Sequence, residues 1–348
     1  MTDRPRTLFD CPAPGAGDDV IELAHGGGGS MTHRLIEGLF RPAFAETPDD
    51  FTHDGAVLDI AGVRLAFTTD SYVVRPLFFS GGDIGSLAVN GTVNDLAMCG
   101  AEPLYLSAGL VIEEGFAMDD LRRIVSSMRD AARSAGIRLV TGDTKVVERG
   151  RGDGLYVNTS GIGRVVAAEP ITPQRVRAGD AVVVSGDIGR HGIAVMALRE
   201  GLGFETTIVS DCAALWSSVR DLLQSGIDIH CLRDLTRGGL ATALIEIAEA
   251  SNVMIRLEEN AVPISDSVRG ACEILGFDPL YVANEGRFIA IVPESATDRV
   301  LSVLRPHGNA TVIARVEGAE RGGEVRLEAI GGSRVLDKLS GDQLPRIC

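Results

Sequence analysis

Positive charge is scarce in this chain. Its 33 Lys and Arg stand against 48 Asp and Glu, a formal net charge of −15 at pH 7. A nucleic-acid surface needs clustered Lys and Arg to neutralise phosphate, so no nucleic-acid partner is expected. Acidity leaves a phosphate ligand open, because carboxylates hold Mg²⁺ and the ion grips phosphates. Long apolar runs are also missing. No stretch reaches the ~18 residues of a membrane span, so no membrane partner is expected. Asp3, Asp10, Asp18 and Asp19 oppose a signal peptide at the start of the chain. The six cysteines, at 11, 99, 212, 231, 272 and 348, include no pair at C-x-x-C spacing. A zinc or thioredoxin-like site is therefore not expected, and a disulfide-stapled secreted fold does not suit this length. The expectation is a reducing cytoplasm that keeps thiols free. Neither the G-x-x-x-x-G-K-[ST] phosphate loop nor a G-x-S-x-G elbow occurs.

Apolar residues make up 45% of the 348 residues, enough to fill two cores, while aromatics are only 5%. The 42 glycines point to tight turns and backbone-lined sites. Residues 1–19 are rich in Pro, Gly and Asp and read as a disordered extension. A first domain is expected over 20–168. The periodicity lapses over 167–179, around Pro170 and Pro173, and a second domain is expected over 175–332. Residues 333–348 read as a mobile tail. Strands are expected at 56–60, 63–69, 137–141 and 155–166, and helices at 84–99 and 119–135. In the second half, strands at 182–184, 227–232, 253–257, 287–292, 311–316 and 324–329 alternate with helices at 192–200, 211–224, 240–250, 267–275 and 296–304. That order predicts an α/β or α+β fold.

The last residue is a cysteine, in Pro345-Arg346-Ile347-Cys348. A thiol on a free end can be carried into one pocket, modified, and carried to another. From Ser333 to Cys348 the chain advances 15 residues, up to ~50 Å when extended. Four acids share one context, the end of an apolar strand or a glycine turn: Asp54, Asp70, Asp143 and Asp234. Asp95 lies instead in the helical stretch 84–99. Carboxylates converging at a sheet rim repel one another unless a cation sits between them, and Mg²⁺ with a nucleotide suits that place. Each acid alone also reads as a turn or cap residue. Gly27 and Gly28 belong to His25-Gly26-Gly27-Gly28-Gly29-Ser30, whose amides can approach an anion; a plain flexible turn explains them too. Thr144 and Lys145 follow Gly142-Asp143 in what reads as a glycine turn, where a Lys can neutralise a transferred phosphate or form a surface ion pair. Glu285, between Asn284 and Gly286, has the apolar neighbours that raise a carboxyl pKa and suit a general base.

Together these strings resemble one family. His-Gly-Gly-Gly-Gly from His25, Phe67-Thr-Thr-Asp-Ser-Tyr-Val-Val, Gly91-Thr-Val-Asn-Asp-Leu-Ala, Gly142-Asp-Thr-Lys-Val-Val, Leu232-Arg-Asp-Leu-Thr-Arg-Gly-Gly, Ala283-Asn-Glu-Gly and the terminal Pro-Arg-Ile-Cys are similar to the HypE family of hydrogenase maturation factors. That family consists of carbamoyl dehydratases of the PurM-like, aminoimidazole ribonucleotide synthetase-related superfamily. Gly-Asp-Thr-Lys together with Pro-Arg-Ile-Cys is the specific part. The resemblance implies a two-domain PurM-like ATP-binding fold whose β-rich N-terminal half forms a shared barrel in a homodimer. It implies that a carbamoyltransferase, HypF, loads Cys348 with a carbamoyl group. ATP then drives dehydration to a thiocyanate, whose cyano group passes to a HypC–HypD complex for the iron of nickel–iron hydrogenase. It further implies Cys348, Lys145 and Glu285 as the residues at the chemistry. Gly27, Gly28, Asp70, Asp95, Asp143, Thr144 and Asp234 would hold ATP, and Asp54, Asp70, Asp95 and Asp143 would hold Mg²⁺. Selenophosphate synthetases, from the same superfamily, use Cys or selenocysteine with Lys in the N-terminal glycine segment. Here His25–Met31 holds neither.

Overall fold

The computed structural model describes residues 20–45, 53–202, 208–319, 322–339 and 346–348. The expected disordered extension over 1–19, and residues 340–345 of the expected tail, lie outside the described residues. The first half holds short helices α1 (Ser30–Leu35) and α2 (Arg41–Phe44), then β1 (Ala56–Ile60), β2 (Val63–Tyr72), β3 (Phe78–Phe79), β4 (Gly82–Asp83), α3 (Ile84–Met98), β5 (Ala101–Glu113), α4 (Met118–Ala135), β6 (Arg138–Val147) and β7 (Leu155–Val165). Its sheet has the order β1-β2-β7-β5-β6. Only β5 and β6 pair in parallel, and α4 makes the crossover between them.

Helix α3 starts where Asp83 accepts hydrogen bonds from the Gly85 and Ser86 amides. It is buried along nearly its whole length, because the sheet covers one side and the second half of the chain the other. The helix runs through Gly91. The glycine leaves room for Tyr72, whose Oη would lie 2.1 Å from a Cβ there. Helix α4 turns Ile124, Met128 and Ala132 onto α3 and the sheet and stops at Gly136, with φ of 71°. The outer face and both edges of the sheet stay open. Val57, Leu58, Ile60, Phe67, Tyr105, Leu139, Val140, Val146 and Ile162 are all exposed.

The second half holds β8 (Asp180–Val184), α5 (Arg190–Arg199), α6 (Trp216–Gln224), β9 (Cys231–Asp234), α7 (Gly239–Ser251), β10 (Val253–Glu258), α8 (Asp266–Leu275), β11 (Phe288–Pro293), α9 (Thr297–Leu304), β12 (Thr311–Gly318), β13 (Glu324–Ala329) and β14 (Gly332–Leu336). Its sheet order is β14-β13-β10-β12-β8-β11-β9. Strands β8 and β11 are apolar at nearly every position because both faces are covered. Val182 and Val184 meet α7, while Val183 meets α6 and α9. No helix among the described residues is long and apolar enough to cross a membrane.

Several expectations shift. Gly142–Lys145 is not a turn but the middle of β6. Gly142 is needed there for contact, since a Cβ would lie 2.3 Å from the Ala108 carbonyl oxygen across an irregular register. Strand β5 and the short helices over 30–44 were not anticipated. Helix α6 begins at Trp216 rather than 211, and the strand expected at 227–232 is β9, shifted toward Asp234. Residues Gly332–Leu336 pair with β13, so the tail is anchored as far as Leu336.

Candidate active site

The site forms where α3 meets the rim of the second sheet. Strand β2 delivers Asp70, α3 delivers Gly91 and Asp95, and β9 ends at Asp234. Asp54 comes from the turn before β1, Glu285 from the loop before β11, and Gly28 from the N-terminal segment. These residues line one cavity of about 310 Å³ with Arg233 and Arg237. Asn94 fixes the Glu285 loop to α3: its side chain donates to the Ala213 carbonyl at 3.1 Å and to that of Glu285 at 3.4 Å. Its own oxygen accepts from the Leu215 amide at 2.8 Å.

Crowded carboxylates dominate the electrostatics. Burial, and then the charges of Asp234, Asp54 and Asp70, push the Asp95 carboxyl well above the usual range. Thr68 Oγ1 donates to Asp95 at 2.7 Å and opposes that rise. Asp234 is pushed up to about 8 by burial and by Asp54, against the pull of Arg233. Glu285 is 2% exposed and is raised by burial, Asp234, Asp70 and Asp211, with Arg237 opposing. Asp54 pairs through Oδ1 with Arg233 Nε at 2.9 Å. Its Oδ2 and Glu285 Oε1 are buried without a hydrogen-bond partner.

Among the described residues, no three such side chains already converge closely enough to hold a metal ion as they stand. The orphaned oxygens and raised pKa values nevertheless mark negative charge in need of a counter-cation, and an all-oxygen donor set fits Mg²⁺, which keeps several of its waters.

The thiol lies next door. A smaller cavity of about 70 Å³ is lined by Gly27, Val73, Arg237, Gly238, Ile347 and Cys348, among others. A carboxylate oxygen of Cys348 accepts from the Val73 amide at 3.1 Å. Arg237 lines both cavities. Its pKa is raised, first by the negative charge of Cys348, then by Asp70 and Glu285 after the opposing effect of burial. Gly28 packs on Arg237 and donates its amide to Thr32 Oγ1 at 2.9 Å.

One chain thus brings together Asp54, Asp70, Asp95, Asp234, Glu285 and Gly28, with Gly27 and Cys348 adjoining. It does not bring Asp143, Thr144 or Lys145 to them. Those lie on the exposed edge strand β6, where Lys145 Nζ pairs with Asp143 Oδ2 at 2.7 Å and both side chains are 68% exposed. Asp143 and Thr144 line a separate groove against α4. Sequence reasoning missed Arg237, Arg233 and Asn94. Both arginines stand in the string Arg233-Asp-Leu-Thr-Arg-Gly-Gly, where the paired glycines were the available signal. Gly238 and Gly239 both have positive φ, and a Cβ on Gly239 would strike the Leu280 and Val282 carbonyls at 2.7 Å.

Known proteins resemble this chain in sequence and fold. Residues 52–165 match the N-terminal domain of AIR synthase related proteins, and residues 177–326 match their C-terminal domain. The carbamoyl dehydratase HypE of Azotobacter vinelandii is 50% identical over 331 residues, covering 94% of this chain and 97% of the relative. A crystal structure of a HypE in complex with ATP is 50% identical, with a TM-score of 0.80, over 94% of this chain and 99% of that one. A HypE–HypF complex gives 43% identity and a TM-score of 0.83, covering 88% of this chain and 99% of that one. With half its residues shared over nearly its full length, and with both halves of the AIR synthase fold, the chain belongs to the HypE family of carbamoyl dehydratases.

Proposed function

We propose that Cys348 carries a carbamoyl group, which this chain dehydrates to a thiocyanate at the expense of ATP during hydrogenase maturation. One observation carries the reading. Cys348 is seated beside Arg237, and Arg237 also lines the neighbouring cavity that holds a buried, unpartnered Glu285 oxygen. The chemistry follows from the groups. An amide oxygen is a poor leaving group, so it attacks the γ-phosphate of ATP, breaks the bond to the bridging oxygen with release of ADP, and becomes a phosphate ester. Loss of the N–H protons and of phosphate leaves S–C≡N. Glu285, raised in pKa, takes one proton, and the other departs with phosphate. Arg237 faces the anionic end of the tail and steadies developing negative charge. Water must be kept from the bound nucleotide, because it would compete with the amide oxygen for the phosphate. Asp54, Asp70, Asp95 and Asp234 would hold Mg²⁺, which neutralises phosphate charge when bound.

The reading extends to a homodimer. The first sheet leaves Val57, Leu58, Ile60, Phe67, Leu139, Val140 and Val146 exposed, an apolar surface that a second copy would cover. A second copy packed there would bring Asp143, Thr144 and Lys145 to the cavity of its neighbour. Residues 20–168 and 175–332 are read as the two domains. A HypF-type carbamoyltransferase is the proposed donor, a HypC–HypD complex the acceptor, and the cytoplasm the setting.

The test loads the protein with carbamoyl phosphate and the transferase, adds Mg–ATP, and weighs the C-terminal peptide. Loss of the mass of one water from carbamoylated Cys348 is expected. A peptide that stays carbamoylated while ATP is consumed would reduce the chain to a thiol carrier.

A further inference from the structure

The tail's last three residues are held by groups that have no part in the chemistry. The Val73 amide donates to Cys348 and the Arg75 amide to the Arg346 carbonyl, at 3.1 and 3.2 Å. These two-residue spacings run in opposite directions, like one edge of an antiparallel ladder. The side chain of Arg346 pairs with Asp153 and donates through Nε to the Val73 carbonyl at 3.1 Å. Arg199 donates to the Arg346 carbonyl at 2.7 Å. Ile347 is 3% exposed and joins an apolar cluster drawn from both halves of the chain.

His191 completes the grip. It is fully buried, and its Nε2 lies 3.0 Å from the Ile347 carbonyl. A carbonyl only accepts, so Nε2 carries the hydrogen. Nδ1 then accepts from Ser210 Oγ at 2.8 Å, and that oxygen accepts from the Cys212 amide at 3.0 Å. The imidazole is therefore fixed in one tautomer aimed at the tail. Arg346 has φ of 57°, which a non-glycine residue holds only where contacts over-determine it.

We propose that the segment following β2, α5 and the 148–154 loop form a peptide-recognition groove in which Asp153 reads the Arg346 side chain and His191 holds the Ile347 backbone, together the address of the substrate-bearing tail. The inference rests on Cys348 being the carrier. Asp153 and His191 are positioning residues: they seat the thiol, and the cavity beyond does the chemistry.

The test measures alkylation of Cys348 by iodoacetamide in the full-length protein, read by mass of the C-terminal peptide, without ATP or transferase. Arg346→Glu should raise the rate roughly tenfold, the factor for losing a charge-assisted hydrogen-bonded pair. Asp153 also pairs with Arg75, so reversing its charge is no clean rescue; Asp153→Asn should itself raise the rate, and adding it to Arg346→Glu should raise the rate no further, because both remove one pair. His191→Leu should accelerate alkylation, while His191→Gln, which keeps an N–H donor, should do so less. In turnover, Arg346→Glu should lower kcat and leave the KM for ATP unchanged. An unchanged alkylation rate in Arg346→Glu overturns the proposal, and so does a double variant with Asp153→Asn whose rate rises as the product of the two single effects. Thermal melts of each variant, those at the fully buried His191 above all, separate loss of the fold from loss of the grip. Alkylation needs no dehydration, so failure of the proposed activity would leave this result readable.

Discussion

Glu285 and Arg237 show how two residues divide one task. Burial and three neighbouring carboxylates favour a proton on Glu285, while Arg237 opposes them. A base must lose its proton before it acts, so a raised pKa moves the onset of activity upward. The dehydration rate should rise with pH through a group titrating well above the ordinary carboxylate range. Glu285→Gln should remove that limb and about 10²–10⁴-fold of the rate. A residual limb in that variant would assign the titration to another group. Arg237→Gln should leave Glu285 protonated to still higher pH, moving the limb upward as well as lowering the rate. A loss of rate with no shift of the limb would mean that Arg237 does not act on Glu285.

At the scale of elements, α3 is the part on which the site depends. Gly91→Ala sets two effects against each other. Alanine gains about 1 kcal/mol of helix propensity over glycine. The added Cβ would lie 2.1 Å from Tyr72 Oη, and Tyr72 is 1% exposed, so no space is left for relief. Overpacking of this kind costs about 1–3 kcal/mol and should win. Urea denaturation of Gly91→Ala should show a net loss of stability; a net gain would mean that Tyr72 moves freely. The same helix shows what was legible in the sequence. Its boundaries followed from apolar composition, and α4 followed from clear periodicity and the Gly136 stop. The Gly-Asp-Thr-Lys string was misread as a turn, because glycine normally marks one. Here its missing side chain lets β6 lie close to β5, a demand set by tertiary contact and invisible locally. Arg237 was hidden for a related reason. Its partner is a residue 111 positions later at the chain end, since 348 − 237 = 111.

For the whole molecule, the separation of Lys145 from Glu285 is the fact to explain. The open sheet face and the exposed β6 edge make a second copy the simplest supplier of Lys145. Mixing Lys145→Ala subunits with Glu285→Gln subunits tests this. If Lys145 acts across the interface, each mixed dimer keeps one intact site. Random assortment then restores about one quarter of wild-type activity from two inactive proteins. If Lys145 acts within its own chain, no mixture regains activity.

The central claim is that the carbamoyl oxygen of the Cys348 adduct attacks ATP. Loading Cys348 with carbamoyl labelled by heavy oxygen, adding Mg–ATP, and weighing the released inorganic phosphate tests it directly. The account predicts one heavy oxygen in the phosphate for each thiocyanate formed; heavy oxygen in water beside unlabelled phosphate would contradict it.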